Sequence, residues 1–313
     1  MLNRTVAIVG AGVSGLTSGV VLAERGFRTA VFAEKIGQRT TSGAAAAVWF
    51  PYDARPAEKV IPWALETYQT LVNLSRDPYA GVSVIELGQF SRAGEIQIPD
   101  WAIPLGASAV ATARWPVFKS GYVLSVPLMD TTIYLDYLAN RFSKAGGSMA
   151  KNILFDKLED VDSTFDLVIN CAGIGARELV GDADLEPHRG QVAIIPKIEN
   201  LSCAIVCDDA PLMYVIPRVN DCVFGGTNEI SDDLDVDPSS TVRILEECSR
   251  VLNIEKPNVH TERVGLRPFR RPGVRLECDR LRDGRNVIHN YGHGGAGFTL
   301  SWGCAREVFD LAS

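Results

Sequence analysis

Residues 6–15 have the sequence Val6-Ala7-Ile8-Val9-Gly10-Ala11-Gly12-Val13-Ser14-Gly15, and this stretch decides the fold. Four apolar residues predict a buried strand, the glycines follow in the spacing G-x-G-x-x-G, and Leu16 to Arg25 is predicted to be a helix. In this pattern the first glycine allows a tight turn, the second lets a pyrophosphate approach the backbone, and the third lets helix and strand pack closely. The free N–H groups at the start of the helix favour bound phosphate.

A carboxylate follows the glycines at the distance that a dinucleotide site requires. The second predicted strand, Arg28 to Phe32, leads to Glu34, which lies about 20 residues beyond the motif, where an acid accepts hydrogen bonds from ribose hydroxyls. An acid there favours FAD or NAD over NADP. The alternative, an ordinary glycine-rich turn between strand and helix, does not account for Glu34. The sequence therefore predicts a dinucleotide-binding unit.

The bulk properties exclude several classes of protein. With 313 residues the chain is long enough for about two domains, and its formal charge of -7 disfavours nucleic acid or an anionic membrane as a partner. We expect no membrane span, because no apolar run approaches the ~18 residues that one needs, and no signal peptide. Seven cysteines without a C-x-x-C pair indicate a reducing, cytoplasmic location, and four scattered histidines predict no metal site.

Helices and strands alternate along the chain in a pattern that predicts two domains. We expect helices at Pro62–Leu74, Asp130–Ala145 (with Asp130 as N-cap), Ser239–Leu252 and Phe298–Asp310. We expect strands at Phe165–Asn170, Cys203–Cys207, His260–Leu266 and Asn286–Asn290, and short strands within 82–126 and at Gln191–Ile195, Met213–Pro217 and Cys222–Gly225.

The predicted fold class is α/β, with a discontinuous Rossmann-like domain and a second, antiparallel β-rich domain. The first comprises residues 1–43, 130–189 and 265–313 and binds the dinucleotide. The second comprises residues 44–129 and 190–264 and binds the substrate. The short β-like runs between 82 and 126, interrupted by Gly, Pro and Trp, are atypical of a Rossmann domain and suggest this separation.

A second glycine-rich stretch precedes the last helix. Residues 292–297 have the sequence Gly-His-Gly-Gly-Ala-Gly between a predicted strand and a predicted helix. The positive end of such a helix stabilises the anionic reduced ring of a flavin at its pyrimidine side. A plain loop before a C-terminal helix is the alternative, although four glycines in six residues favour the functional interpretation.

Together the chain resembles the D-amino-acid oxidase family of FAD enzymes, whose blocks occur in family order from end to end. Six blocks carry the resemblance, and three of them are interrupted. They are Val6–Gly15; Ala33–Lys35 with Thr40–Ser42 and Ala45–Tyr52; Phe165–Gly173; Tyr214–Arg218 with Phe224–Thr227; Val264–Pro268; and His289–Thr299 with Trp302–Ala305. The first block is shared by many nucleotide-binding enzymes. The last two are far more specific to this family.

The resemblance implies FAD as the cofactor and assigns residues to it. Glu34 and Lys35 would lie near the adenosine, and Gly294 to Thr299 would surround the pyrimidine end of the flavin, with Thr299 near its O2. The full set of implied cofactor residues is Gly10, Ala11, Gly12, Val13, Ser14, Gly15, Glu34, Lys35, Thr40, Thr41, Ser42, Ala47, Val48, Phe50, Ala172, Gly173, Gly294, Gly295, Gly297, Phe298 and Thr299.

For the substrate, the resemblance implies that Arg267 and Tyr214 bind the carboxylate and that the Gly295 carbonyl accepts from the amine. A guanidinium suits a carboxylate in an apolar pocket because it offers two parallel donors, and the apolar neighbours of Arg267 support this role. A core ion pair for Arg267 and a core position for Tyr214 are the alternatives. We expect Arg270, Arg271 and Arg275 to face solvent or form ion pairs, and His293 to be structural.

The reaction that the resemblance implies is oxidation of a D-amino acid by dioxygen, with direct hydride transfer to flavin N5, to give a 2-oxo acid, ammonia and hydrogen peroxide. The partners would be these small molecules, with a homodimer as the assembly to consider. A glycine or sarcosine oxidase and an oxidase of D-aspartate or D-glutamate remain alternatives, and Arg218 is a candidate for binding an acidic side chain. The chain departs from the family pattern at Phe50, Gly43 and Ala210, the last of which stands where animal members have a lid tyrosine.

Overall fold

The structure is a computed structural model that describes residues 4–313. It contains two compact units. The first contains the residues up to Val82 together with Met129–His188 and Leu266–Ser313, and the second contains Ser83–Leu128 and Arg189–Gly265. The predicted substrate domain includes residues 44–82, whereas these residues belong to the first compact unit.

The described residues form seven helices and fifteen strands. The helices are α1 (Val13–Ala23), α2 (Thr41–Ala44), α3 (Ala57–Leu74), α4 (Thr131–Lys144), α5 (Ala176–Leu179), α6 (Pro238–Leu252) and α7 (Gly297–Ala312). The strands are β1 (Thr5–Ala11), β2 (Arg28–Ile36), β3 (Val82–Ser91), β4 (Ser108–Ala109), β5 (Ser120–Met129), β6 (Ser148–Lys151), β7 (Leu167–Asn170), β8 (Leu185–Pro196), β9 (Cys203–Cys207), β10 (Met213–Pro217), β11 (Asp221–Gly225), β12 (Glu229–Ile230), β13 (Thr261–Arg270), β14 (Arg275–Arg280) and β15 (Asn286–Tyr291).

A six-stranded sheet in the order β14-β15-β7-β1-β2-β6 forms the centre of the first unit. Strand β1 is parallel to both of its neighbours, with Ile8 opposite Val31 on one side and Ile169 on the other. Because such a strand is covered on both faces, it is apolar throughout, and Val6 to Val9 are all buried. The predicted Rossmann-like α/β fold is confirmed.

The helices of the first unit differ from the predictions mainly at their ends. Helix α1 spans Val13–Ala23 and starts three residues before the predicted start. The predicted start of helix α3 was Pro62, because proline is favoured in the first turn of a helix. In the structure α3 starts at Ala57, so Pro62 lies inside the helix. The extra turn forms because Val60 continues the buried face of Trp63 and Thr67. Asp130 caps α4 as predicted, since its carboxylate accepts a hydrogen bond from the Thr132 amide.

A nine-stranded sheet in the order β12-β8-β11-β10-β9-β3-β5-β4, with β13 beside β8, dominates the second unit. The central pairs are antiparallel, except that β3 and β9 run parallel. No hairpin joins these two strands, because they come from separate segments of the chain. One face of the sheet packs against α6, and Phe90, Cys207 and Met213 lie in that core.

Six of the seven cysteines are buried as free thiols, and only Cys278 is exposed. Burial raises the pKa of Cys171 to about 11 and the pKa of Cys222 to about 12. No helix within residues 4–313 combines the length and the apolar character needed to cross a bilayer.

Candidate functional site

The first glycine motif is a tight backbone cradle at the carboxyl end of β1. Gly10 has a φ of +112°, and a Cβ there would lie 2.3 Å from the Cys171 carbonyl oxygen. A Cβ on Gly15 would lie 1.9 Å from the Gly10 carbonyl oxygen, so the third glycine is the close helix–strand contact that the spacing predicts. A Cβ on Gly12 would meet only the Ser42 hydroxyl oxygen, 3.1 Å away. The second glycine therefore leaves open the approach to the helix N-terminus.

The segment from Thr40 to Ser42 lies beside the first turn of α1. The Ser42 hydroxyl accepts a hydrogen bond of 2.9 Å from the Val13 amide. Thr40 is the N-cap of α2, and its hydroxyl accepts from the Gly43 amide. Hydroxyl groups and helix amides therefore lie together at one helix N-terminus, an arrangement that favours an anionic group.

Other predicted cofactor residues border the same cradle. Ala172 follows β7, and its Cα lies 3.2 Å from the position of a Gly10 Cβ. Its amide donates a hydrogen bond of 3.1 Å to the Asn170 side chain, and Gly173 has a φ of +60°. Glu34 and Lys35 are exposed near the carboxyl end of β2, just before the residue that pairs with Ala11. Parallel pairing places these strand ends at one edge of the sheet, as a dinucleotide site requires.

The second glycine stretch is as tightly packed as the first. Gly294 has a φ of +54°, and a Cβ there would lie 1.8 Å from the Asp53 carbonyl oxygen. A Cβ on Gly295 would lie 2.5 Å from the Tyr52 ring. Gly297 opens α7, and its Cβ position lies 3.7 Å from a Val13 methyl group. The N-terminal ends of α7 and α1 are therefore neighbours.

The segment that the resemblance assigns to the flavin ring is fixed to α7 by Thr299. The Thr299 hydroxyl donates to the Phe50 carbonyl at 2.9 Å and accepts from the Phe50 amide at 3.1 Å. Ala47 has a φ of +58°, a left-handed conformation that is uncommon for a residue with a Cβ, and its carbonyl accepts from the Met129 amide. Val48 follows Ala47, and Phe298 is buried beside Thr299.

His293 has the structural role that the sequence predicts. Its Nε2 lies 3.0 Å from the Asn290 amide oxygen, and Asn290 in turn donates to the Ser18 hydroxyl at 3.2 Å. Because the amide oxygen is an acceptor, we assign the proton of the neutral ring to Nε2. Burial lowers the pKa of His293 to about 4, so the ring is neutral near pH 7.

Arg267 lies on β13 close to the second glycine stretch. Phe269, two residues further along the strand, forms an antiparallel bridge with His293. Since side chains two residues apart share one face of a strand, Arg267 and Phe269 lie on the same face of β13. Gly295 lies two residues beyond this bridge, in the short 3-10 turn Gly294–Ala296. Arg267 and Gly295 are the residues that the resemblance assigns to the substrate carboxylate and amine.

The arginines that follow Arg267 form ion pairs, as predicted. Arg270 Nε lies 2.8 Å from the Asp182 carboxylate, which also accepts from the Tyr291 hydroxyl at 2.8 Å. Burial alone would raise the pKa of Asp182, but the bonds from Arg270 and Tyr291 outweigh it and leave this pKa below its usual value. Arg271 pairs with two exposed or half-buried acids, and Arg275 pairs with Glu277.

Tyr214 lies in the second unit, on β10, opposite Gly225. Its ring covers Gly225 and Gly226, because a Cβ on either glycine would lie within 3 Å of ring atoms. Arg218 lies beyond β10 and forms a two-pronged ion pair with Asp221, with N–O distances of 2.6 and 2.8 Å. The guanidinium of Arg218 is therefore already neutralised, which disfavours the role in binding an acidic substrate that the sequence left open.

The structure adds residues that the sequence analysis did not single out. Asp53 has a φ of +53°, and its carbonyl oxygen occupies the space that a Cβ on Gly294 would need. Its carboxylate lies 2.7 Å from His188 Nδ1. The His188 ring stacks on Phe269 with a centroid distance of 4.4 Å. A residue such as His188 shows no periodicity or motif in the sequence, so only the folded structure reveals the contact.

The chemistry of these groups fits a bound dinucleotide. In the two glycine cradles, a Cβ on Gly10, Gly15, Gly294 or Gly295 would clash with neighbouring atoms. The two neighbouring helix N-termini offer backbone N–H donors to anionic groups. All the residues that the resemblance assigns to FAD lie in the first unit. Within residues 4–313, no group of three or more metal-ligating side chains could hold a metal ion.

Comparisons with known proteins agree with this geometry. The family described as FAD dependent oxidoreductase (DAO) matches residues 5–311. A D-amino-acid oxidase of Rubrobacter xylanophilus is 39% identical over 327 residues, which cover 100% of this chain and 98% of that protein. A D-aspartate oxidase of Homo sapiens is 32% identical and covers 100% of this chain and 96% of its own. The crystal structure of a glycine oxidase from Geobacillus kaustophilus has a TM-score of 0.83 over 99% of this chain and 95% of its own, but at 18% identity it shows the fold alone.

Proposed function

Because this chain belongs to the DAO family of FAD dependent oxidoreductases, we propose that it oxidises D-amino acids to 2-oxo acids, ammonia and hydrogen peroxide. Two relatives named D-amino-acid oxidase match 100% and 98% of the chain, which supports this activity. The observation that carries the proposal is the position of Arg267. Arg267 lies two residues before Phe269 on β13, and Phe269 pairs with His293 of the second glycine stretch.

The cofactor of the family is FAD, and we propose that the first unit binds it along both glycine cradles. The N-terminus of α1, together with Ser42 and Thr40, binds the pyrophosphate, and Glu34 binds the ribose. The N-terminus of α7 provides the positive end that favours an anionic reduced ring. When bound, FAD supplies an acceptor for the substrate hydride and transfers the two electrons to dioxygen.

The residues of the chain act by orienting the substrate. Arg267 binds the carboxylate with two parallel hydrogen bonds, and the Tyr214 hydroxyl donates to the same group. The Gly295 carbonyl accepts a hydrogen bond from the neutral amine, whose lone pair assists departure of the α-hydride. No side-chain base is needed, and His293 remains a neutral hydrogen-bond donor to Asn290. Catalysis therefore rests on orientation and on fixed charge.

Two other activities are the alternatives that a panel of substrates would distinguish from this one. Glycine or sarcosine oxidation would use the same fold, and D-aspartate oxidation would need a second cation for the side-chain carboxylate. Arg218, the candidate cation that the sequence offered, is buried and already forms an ion pair with Asp221. We therefore place D-aspartate and D-glutamate below neutral D-amino acids as substrates.

A substrate panel tests the proposal. The purified holoenzyme is incubated with D- and L-amino acids, glycine and sarcosine, and peroxide, ammonia and the 2-oxo acid are measured. We expect the absorbance of oxidised flavin and turnover confined to D-amino acids, with the three products in equal amounts. Turnover of L-amino acids or of sarcosine alone would contradict the proposal.

Location and assembly follow as separate proposals. Six buried free cysteines in an unpaired state support a reducing compartment such as the cytoplasm. A homodimer is the assembly that we propose to test by light scattering of the holoenzyme.

A further inference from the structure

The loop formed by residues 50–55 packs directly against the second glycine stretch. This loop contains neither helix nor strand. The Tyr52 ring occupies the space that a Cβ on Gly295 would need, and the Asp53 carbonyl oxygen does the same for Gly294. Because the loop and the glycine backbone are in direct contact, a displacement of one displaces the other.

Both ends of this loop are held by hydrogen bonds to distant segments. Phe50 is bonded to Thr299 through its amide and its carbonyl, and the Arg55 carbonyl accepts a hydrogen bond of 2.8 Å from the Val274 amide. Asp53 lies between these ends with a φ of +53°. A left-handed conformation is uncommon for a residue with a Cβ and persists where the surrounding contacts hold it.

His188 provides such a contact for the middle of the loop. Its Nδ1 lies 2.7 Å from an Asp53 carboxylate oxygen, and because a carboxylate is an acceptor we assign a proton to Nδ1. The side chains of His188 and Asp53 are only 14% and 17% exposed, so water and salt screen their interaction weakly. The other ring nitrogen, Nε2, lies 3.9 Å from the Glu186 carboxylate.

The His188 ring is fixed in turn by Phe269. The two rings are stacked, with a centroid distance of 4.4 Å and an angle of 12° between their planes. Phe269 is buried and pairs with His293, so it links His188 to the second glycine stretch. The same stretch returns to Asp53 through Gly294. These contacts form a closed ring, and every residue in it belongs to the first unit.

Gly295 is the exposed residue of the turn that this ring supports. The 3-10 turn Gly294–Ala296 buries its first and last residues, whereas Gly295 between them is exposed. Its carbonyl is the proposed acceptor for the substrate amine. A rotation of the turn would move this acceptor, and a misplacement of about 1 Å can cost a reaction roughly a hundredfold in rate.

We propose that His188 is a positioning residue, which fixes this turn through Asp53 and so aims the Gly295 carbonyl at the substrate amine. This inference rests on the proposed function, because it takes Gly295 as the amine acceptor. Arg267, the proposed carboxylate ligand, is carried by β13, whose sequence no substitution at His188 or Asp53 alters. Loss of the His188 side chain should therefore impair the amine contact and spare the carboxylate contact.

The first experiment compares D-alanine with propanoate, the same molecule without the amine. The holoenzyme is mixed with D-alanine without oxygen, and the loss of flavin absorbance gives the rate of flavin reduction. We expect His188→Ala to lower the limiting rate at least tenfold. Calorimetry should show propanoate bound within about twofold of the wild-type affinity, with FAD retained. His260→Ala, at an exposed histidine, is the control. An unchanged rate, or equal losses of rate and of propanoate affinity, would overturn the positioning role.

Substitutions of Asp53 test whether the two residues act as a pair. Asp53→Asn keeps an acceptor oxygen for Nδ1–H and should retain most of the wild-type rate. Asp53→Gly removes the acceptor but adopts a left-handed conformation without strain, so it should reproduce the loss seen in His188→Ala. The double variant should lose no more than either single variant, because both remove one interaction. Losses that multiply would contradict the pair.

Hydrogen exchange separates this inference from the proposed reaction, because it needs no turnover. In peptides that cover residues 291–300, the Ala296 amide, bonded to the His293 carbonyl at 2.9 Å, reports on the turn. His188→Ala should speed exchange there at least tenfold and leave peptides from α1 unchanged. If this result accompanied a wild type that oxidised no D-amino acid, only the proposed function would fail. Unchanged exchange at the turn would overturn the positioning role whatever the activity.

Discussion

Thr299 and Phe50 are joined by two hydrogen bonds, although 249 residues separate them in the chain. One hydroxyl forms hydrogen bonds with both the amide and the carbonyl of a single residue, so it holds the segment at Phe50 against the first turn of α7. Both elements belong to the proposed flavin site. The relationship shows how a side chain assigned to cofactor contact also builds the site itself.

Replacing this hydroxyl should weaken cofactor binding. Thr299→Val keeps the volume of the side chain but removes both of these hydrogen bonds to Phe50, whose carbonyl retains a bond of 2.8 Å from the Tyr52 amide. Loss of the hydroxyl acceptor for the Phe50 amide costs about 1–3 kcal/mol. We expect a higher dissociation constant for FAD and a lower melting temperature, measured by flavin fluorescence and thermal unfolding. Thr299→Ser keeps the hydroxyl and should resemble the wild type. Unchanged FAD affinity in Thr299→Val would show that the bonds are dispensable.

The second glycine stretch should tolerate no added methyl group. Gly294→Ala forces a left-handed conformation, which costs about 1–2 kcal/mol, and brings a Cβ within 1.8 Å of the Asp53 carbonyl oxygen. We expect loss of bound FAD, measured by the flavin absorbance of the purified protein. Gly284→Ala is the matched control, because Gly284 also has a positive φ but a Cβ there meets nothing within 4 Å. Equal FAD content in both variants would argue against the packed cradle.

Arg267 should matter for substrate and not for cofactor. Arg267→Ala removes a two-pronged carboxylate ligand, and we expect kcat/KM for a D-amino acid to fall by the equivalent of about 2–5 kcal/mol while FAD stays bound. The kcat/KM of Arg267→Lys should lie between those of the wild type and Arg267→Ala, because an ammonium group cannot bond to both carboxylate oxygens as a guanidinium does. Arg271→Ala, at an exposed ion pair, is the control. Wild-type turnover in Arg267→Ala would refute the proposed carboxylate contact.

Acidification should destabilise the protein through two buried histidines. Burial lowers the pKa of His289 and of His293 from 6.5 to about 4. Between these values the unfolded chain binds protons that the folded chain does not, so stability is lost as the pH falls from about 6.5 to about 4, by up to about 3 kcal/mol for each ring. Urea unfolding at a series of pH values measures this slope. His293→Asn should flatten it, and an equally steep slope in that variant would assign the loss to other groups.

The sequence was sufficient to predict the elements whose residues carry a local pattern. Val6 to Val9 are uniformly apolar because β1 is covered on both faces, and Gly10 and Gly15 occupy positions where no Cβ fits. Asp130 was recognisable as a cap from its position before an amphipathic segment. In each case one residue and its near neighbours hold the decisive information.

The parts that were missed depend on contacts between distant segments. Strands β6 and β14 escaped notice because their residues are largely polar and half-buried or exposed, as is usual at a sheet edge. The pair of His188 with Asp53 joins residues 135 apart, and the bond of Gln89 with Asp208 joins residues 119 apart. No periodicity reports such pairs, since each depends on how distant segments of the chain pack together in the fold.

The burial of the thiols bears on how long such an enzyme survives its own product. Oxidation by peroxide requires a thiolate that the oxidant can reach, and six of the seven cysteines are both enclosed and held as thiols. Damage should therefore concentrate on Cys278, which lies on the exposed edge strand β14. Burial of these six thiols in the cores of the fold should therefore slow inactivation of the enzyme by the hydrogen peroxide that it produces.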